Sequence, residues 1–263
     1  MSNFITTATG DRIAYDVRGT GPALIFVAGA GPFRAIDPWT TETAERAAQQ
    51  GITTLVYDRL GRGESPAEGH LGLERELGAI RALLETVGGS GVLCGHSSGC
   101  SISLYAAAAG LPVAGLALWE APLAGTAMET QAWSDEIERR IDANDFEGAT
   151  SHYMKDMPPA WLAEAKASPQ WAAIAAGVVS QRADAVSLAW AVTALEDKSL
   201  NSFQVPVLAM YGTETFPEMP KAAARIAEVI PGAHEKEMPG AQHIWEPEAM
   251  ATELAGFVKS CFA

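Results

Sequence analysis

The sequence predicts an α/β protein: a mostly parallel sheet of eight strands, helices on both faces, and one helical insertion. Three observations predict it. Short apolar runs alternate with helical patterns through residues 1–122 and again through 204–263, the rhythm of strands joined by crossover helices. The run at 23–28 is apolar at every position, as a strand buried on both faces must be. Between the two alternating parts, residues 123–203 carry several helical patterns and no convincing strand.

The elements follow in order. Residues 3–7 and 11–17 read as two antiparallel strands joined by a turn at Thr9-Gly10. The strand at 23–28 ends in the small-residue turn Gly29-Ala30-Gly31-Pro32. A helix at 38–50 opens on Pro38, whose missing N–H has no partner to lose at a first helical position. A strand follows at 53–57. Leu71, Leu77, Ile80, Leu83 and Leu84 then share one face of a helix over 71–87. A strand at 91–95, a small-residue helix at 98–109 and an apolar strand at 113–119 complete the first part. The insertion contains Trp133, Trp161, Trp171 and Trp190 and is expected to cap the sheet. A strand at 205–211, a helix near 219–230, a short strand near 233–238 and a helix at 247–262 close the chain. Core segments 1–122 and 204–263 with a cap at 123–203 are the expected domain organisation.

Composition excludes several function classes. Of 263 residues, 48% are hydrophobic and 19% charged, which fits a globular enzyme and not a disordered chain. The formal charge of −14 opposes binding to nucleic acid or to an anionic membrane. The start of the chain lacks the basic and apolar pattern of a signal peptide, and no run is long enough to span a bilayer. Cys94, Cys100 and Cys261 form no disulfide framework or metal-spaced cluster. The expectation is a cytoplasmic protein, monomer or homodimer, acting on a small molecule without cofactor or metal.

Chemistry concentrates at Gly95-His96-Ser97-Ser98-Gly99. A short apolar strand precedes this Gly-x-Ser-x-Gly segment and a small-residue helix follows, as a nucleophile elbow requires. The turn would expose the Ser97 hydroxyl and bring the Ser98 N–H to a helix N-terminus, where negative charge is stabilised. The competing reading makes Ser97 an ordinary helix N-cap. His96 is assigned to packing or hydrogen bonding. A serine needs a base, and His243, in the loop after the last strand, falls at the same sheet edge as Ser97. Of the other histidines, His70 belongs to a turn-rich segment, His152 to the cap, and His234 to the far end of a strand. Two carboxylates compete to orient the base: Glu120, directly after the apolar 113–119 strand, and Glu214, in the loop after Tyr211. The oxyanion hole is assigned to the N–H groups of Ser98 and Ala30.

These residues resemble the α/β-hydrolase superfamily. The marks are the glycine-rich loop after the third strand, the Asp58-Arg59-Leu60-Gly61-Arg62-Gly63-Glu64-Ser65 turn, the elbow at Ser97 and the loop carrying His243. The chain is most similar to small, capped bacterial serine hydrolases whose sequence after strand six is like Trp119-Glu120-Ala121-Pro122. Ala28 stands where the family commonly has His. Thr215 stands where the family commonly has its acidic Asp. Some members carry the acid after strand six instead, and the resemblance therefore implies Glu120, in the chain order Ser97, Glu120, His243.

The expected activity is cleavage of a small apolar carboxylic ester or lactone through an acyl-enzyme. Gly29, Phe33, Trp133, Tyr153, Met154, Trp161 and Trp190 are the expected substrate-binding residues, and no arginine cluster for an anionic group is visible. The alternatives are a non-hydrolytic small-molecule binding protein on the same fold, suggested by Thr215, or a C–C bond hydrolase, thioesterase or perhydrolase.

Overall fold

Uninterrupted apolar runs become the inner strands. In the computed structural model, which describes residues 2–263, β3 (Ala23–Val27) is buried at all five positions. β5 (Gly91–His96) and β6 (Val113–Trp119) are buried at nearly every position. The outer β1 (Asn3–Thr6) and β2 (Arg12–Gly19) are exposed or half-buried at most positions, as strands at a sheet margin are. With β4 (Thr53–Tyr57), β7 (Val207–Glu214), β8 (His234–Ala241) and β9 (Ile244–Trp245), the sheet runs β1-β2-β4-β3-β5-β6-β7-β8-β9. Pairing is parallel from β4 to β8 and antiparallel at both margins.

The sheet thus has nine strands and not the expected eight. The additional β9 is two residues long and pairs antiparallel with the end of β8, too short for any periodicity. β7 begins after Pro206 and runs on to Glu214, because Glu214 still pairs with Ala241 of a longer β8. Strand order reverses at β3, whose neighbours are β4 and β5. The carboxyl ends of strands at such a switch point leave a crevice for ligands.

Helices cover both faces. α1 (Pro38–Ala48) and α10 (Pro247–Cys261) bury Ala44, Ala47, Met250, Leu254 and Val258 on one side. α2 (Leu73–Thr86), α3 (Ser98–Ala108) and α9 (Glu218–Val229) bury Leu77, Ile80, Ile102 and Ile226 on the other. Residues 123–203 form α4 (Ala127–Asp142), α5 (Phe146–Tyr153), α6 (Pro159–Ala167), α7 (Trp171–Ala176) and α8 (Arg182–Glu196), with no strand. These helices are not equivalent. Leu188, Val192 and Leu195 of α8 belong to the same buried cluster as the sheet. Ile137, Ile141, Ala149, Tyr153 and Val178 form a separate small cluster above it. Among the described residues, no helix is long and apolar enough to cross a membrane.

One close approach governs how α3 sits. A Cβ on Gly99 would lie 2.1 Å from the Val27 carbonyl oxygen of β3, so only glycine allows the first turn of α3 to reach that strand. Gly78, inside α2, has nothing within 4 Å of the same position. Gly99→Ala is expected to lower stability by about 1–3 kcal/mol or more through overpacking. Gly78→Ala is expected to raise it by about 1 kcal/mol through helix propensity. Thermal melts of the two variants check both signs.

Candidate active site

Ser97 joins β5 to α3 with φ 54° and ψ −125°, a region that disfavours any residue with a side chain and is found where function demands it. Its N–H donates to the Trp119 carbonyl at 2.9 Å, and its own carbonyl accepts from Cys100 N at 3.0 Å. Its side chain makes no helix-capping hydrogen bond, so the N-cap reading has no support in the geometry. Ser98 begins α3, with its hydroxyl donating to Asp184 Oδ1 at 2.6 Å.

Glu120 follows β6 directly and is only 1% exposed. Its N–H donates to Met210 O of β7 at 2.8 Å, and its φ of 46° turns the side chain off the strand line. Oε1 accepts from Gly212 N at 3.0 Å and from the Thr215 hydroxyl. Oε2 lies 2.5 Å from His243 Nδ1. Burial alone would raise the Glu120 carboxyl; the hydrogen bonds from His243, Thr215 and Gly212 outweigh it and hold the group below its ordinary value. A carboxylate at Nδ1 keeps the proton on that nitrogen and leaves Nε2 as the acceptor.

His243 sits in a two-residue turn between β8 and β9. Gln242 and His243 have φ of 51° and 73°, the signature of a type I′ hairpin turn. Its carbonyl is held twice, by His96 Nε2 at 3.0 Å and by Trp119 Nε1 at 3.2 Å. Burial and the neighbouring His243 ring hold His96 down to about 3. It is therefore neutral and donates its Nε2 proton to that carbonyl.

The structure thus brings Glu120 and His243 into direct contact. His96, which precedes Ser97 in the chain, has its ring centre 4.9 Å from that of His243. No direct hydrogen bond links the Ser97 hydroxyl to the imidazole, a contact that is commonly long in unliganded enzymes and tightens with substrate. Glu214, the rival carboxylate, ends β7 with its side chain exposed.

The loop after β3 presses on the elbow. A Cβ on Gly29 would lie 2.9 Å from Ser97 Cβ and 2.8 Å from His96 O, so Gly29 is a contact glycine. Beneath it lies a buried ionic cluster that sequence reasoning missed. Arg59, with no exposed surface, bonds Asp184 through two nitrogens at 2.7 and 3.0 Å, and Glu76 at 3.1 Å. Arg62 adds a contact to Asp184 at 3.1 Å. An arginine pair therefore does exist beside the site, contrary to expectation. Asp184 and Glu76 neutralise it, so it is not available to an anionic substrate.

The expected substrate-binding residues divide. Trp161 of α6 meets Phe216 edge-on, with centroids 5.9 Å apart, and Phe216 lies 6.3 Å from the His243 ring. These rings form an apolar wall beside the base, and Phe216 was missed because nothing in its local pattern marks it. Tyr153 is buried in the small upper cluster, with Trp133 and Met154 packed on it or around it. Phe33 packs on the turn at Gly63. Trp190 of α8 meets the Tyr105 ring edge-on at 4.9 Å. Tyr105 lies two helical turns beyond Ser97, about 12 Å along the axis. Trp190 therefore packs at the α3–α8 interface. Among the described residues, no three His, Cys, Asp or Glu side chains converge as a metal ion would require.

The model of the alpha/beta hydrolase family matches residues 24–256. The chain belongs to the alpha/beta hydrolase family. An alpha/beta hydrolase from Sphaerobacter thermophilus DSM 20745 superposes with a TM-score of 0.80 at 27% identity, covering 97% of this chain and 99% of that one. A thermophilic esterase from Thermogutta terrifontis gives 0.67 at 20% identity, over 100% and 98% of the chains. A proline iminopeptidase from Mycobacterium smegmatis gives 0.65 at 16% identity, over 99% and 98%. No curated protein matches in sequence. Thr215 donates its hydroxyl to Glu120, the carboxylate that meets His243.

The Glu120 contacts have a consequence for stability. Its value in the folded chain lies below that in the unfolded chain, so its ionised form favours folding above the ordinary glutamate range. That contribution is lost as pH falls through the lowered value. The melting-temperature gap between wild type and Glu120→Gln should be level above ~pH 5 and narrow below it. A gap that widens in acid would contradict the contacts described.

Proposed function

We propose that this hydrolase cleaves small apolar carboxylic esters or lactones through an acyl-enzyme on Ser97. The observation that carries the reading is the pairing of a positive-φ serine at the β5–α3 elbow with a histidine whose Nδ1 is bound by a buried glutamate.

The chemistry follows from that arrangement. His243 Nε2 accepts the Ser97 proton as Oγ attacks the substrate carbonyl. Negative charge develops on the carbonyl oxygen, to be met by the N–H groups of Ser98 and Ala30. The imidazolium forms beside the Glu120 carboxylate, which stabilises it without taking its proton. His243 then protonates the leaving alcohol, and water repeats the sequence to release the acid.

The Trp161–Phe216 wall and the neutralised arginines support an uncharged, apolar substrate. The binding-protein alternative rested on the missing Asp at Thr215. The Thr215 hydroxyl on Glu120 supports relocation of the acid and not its loss. Ser97 at the elbow is shared by C–C hydrolases, thioesterases and perhydrolases; the apolar Trp161–Phe216 wall beside the base supports the ester reading.

A fluorophosphonate probe is expected to label Ser97, located by peptide mass spectrometry, and to abolish p-nitrophenyl ester cleavage. Ser97→Ala should lower kcat by about 10^6-fold. Glu120→Gln should lower it by about 10^4-fold, whereas Glu214→Gln should leave it unchanged. Full turnover in Ser97→Ala would refute the reading, and loss confined to Glu214→Gln would reassign the acid.

A further inference from the structure

We propose that Arg62 is a positioning residue of the oxyanion hole, acting through the peptide between Gly29 and Ala30. Arg62 is buried, and every nitrogen of its guanidinium is engaged. Nη1 donates to the Gly29 carbonyl at 2.5 Å and Nε to Ser180 Oγ at 3.1 Å. Nη2 donates to Ser180 O at 3.2 Å and Asp184 Oδ2 at 3.1 Å. Arg59 reinforces the same strip of backbone, reaching Ala28 O at 3.1 Å and Gly29 O at 3.4 Å.

The Gly29 carbonyl and the Ala30 N–H belong to one peptide unit. None of the described peptides is cis, so the two groups point in opposite directions from one plane. A cation that holds the oxygen on the buried side therefore turns the N–H away from itself. Among the described residues, that N–H has no acceptor, which leaves it free for a substrate oxygen. A charge-assisted bond to the oxygen also polarises the peptide and strengthens its N–H as a donor.

Asp184 extends the same control to the second donor. Its carboxylate binds both arginines and also accepts from the Ser98 hydroxyl. One buried cluster, anchored in α8, thus orients the residues that supply both N–H groups. The inference rests on the hydrolase reading and adds what aims its oxyanion donors.

The test compares Arg62→Gln and Arg62→Lys with wild type, using p-nitrophenyl acetate as substrate and an aryl trifluoromethyl ketone as transition-state analogue. Arg62→Gln is expected to lower kcat by about 10- to 100-fold with KM within twofold, and to lose ketone affinity by the same factor, less than the ~10²–10³-fold for outright removal of an oxyanion donor because the Ala30 N–H is misaimed and not lost. Arg62→Lys, which keeps a cation for the Gly29 carbonyl, should recover most of the loss. Equal losses in both folded variants, or full kcat in Arg62→Gln, would overturn the proposal. If Arg62→Gln does not melt cooperatively, wild-type protein decides: the Ala30 amide proton should move downfield in the NMR spectrum of the phosphonate adduct. An unmoved Ala30 resonance would overturn the proposal. Wild type that neither labels nor cleaves esters removes the hydrolase reading itself, whereas labelled wild type with an insensitive Arg62 removes only this inference.

Discussion

The architecture depends on how closely the first turn of α3 lies against β3. With the Val27 oxygen 2.1 Å from where a side chain on Gly99 would begin, the chain must reverse within one residue after β5. Ser97 takes up that reversal at φ 54°, and its cost is met by the packing on both sides. Strand register does the rest. His96 pairs with Trp119, and Trp119 with Met210, so the elbow, Glu120 and the middle of β7 stand in one row. The turn at Gln242–His243 closes over that row because His96 and Trp119 both hold its carbonyl.

Electrostatics divides into two layers. The upper layer is the Glu120–His243 pair, in which a buried carboxylate is kept ionised by three hydrogen-bonding partners. The lower layer is the Arg59–Arg62–Asp184–Glu76 cluster under the Gly29 loop. Buried ion pairs of this kind add little net stability over an apolar core, yet removing one member costs several kcal/mol. The cluster therefore contributes mainly by fixing geometry: it ties α8 to the β3 loop and to the start of α3.

Much of this was legible in the sequence, for physical reasons that differ by residue. Strands buried on both faces must be apolar throughout, so β3, β5 and β6 announced themselves. The elbow was readable because glycines two residues either side of a serine have a steric purpose there. Glu120 was readable because a carboxylate at the end of an apolar strand needs a partner. The ionic cluster was not readable: Arg59 and Asp184 are 125 positions apart, and an aspartate in the first turn of a helix ordinarily faces water. β9 escaped because two residues carry no period. The Trp190–Tyr105 contact was not readable because a tryptophan in an apolar helix looks the same whether it meets a ligand or another ring.

The most direct test of the account is a crystal structure of the Ser97 phosphonate adduct. The account predicts a phosphonyl oxygen about 2.7–3.1 Å from the backbone nitrogens of both Ala30 and Ser98. It also predicts that His243 Nε2 faces the Ser97 oxygen while Nδ1 stays on Glu120. A phosphonyl oxygen turned away from those nitrogens, or an imidazole that leaves Glu120, would contradict it.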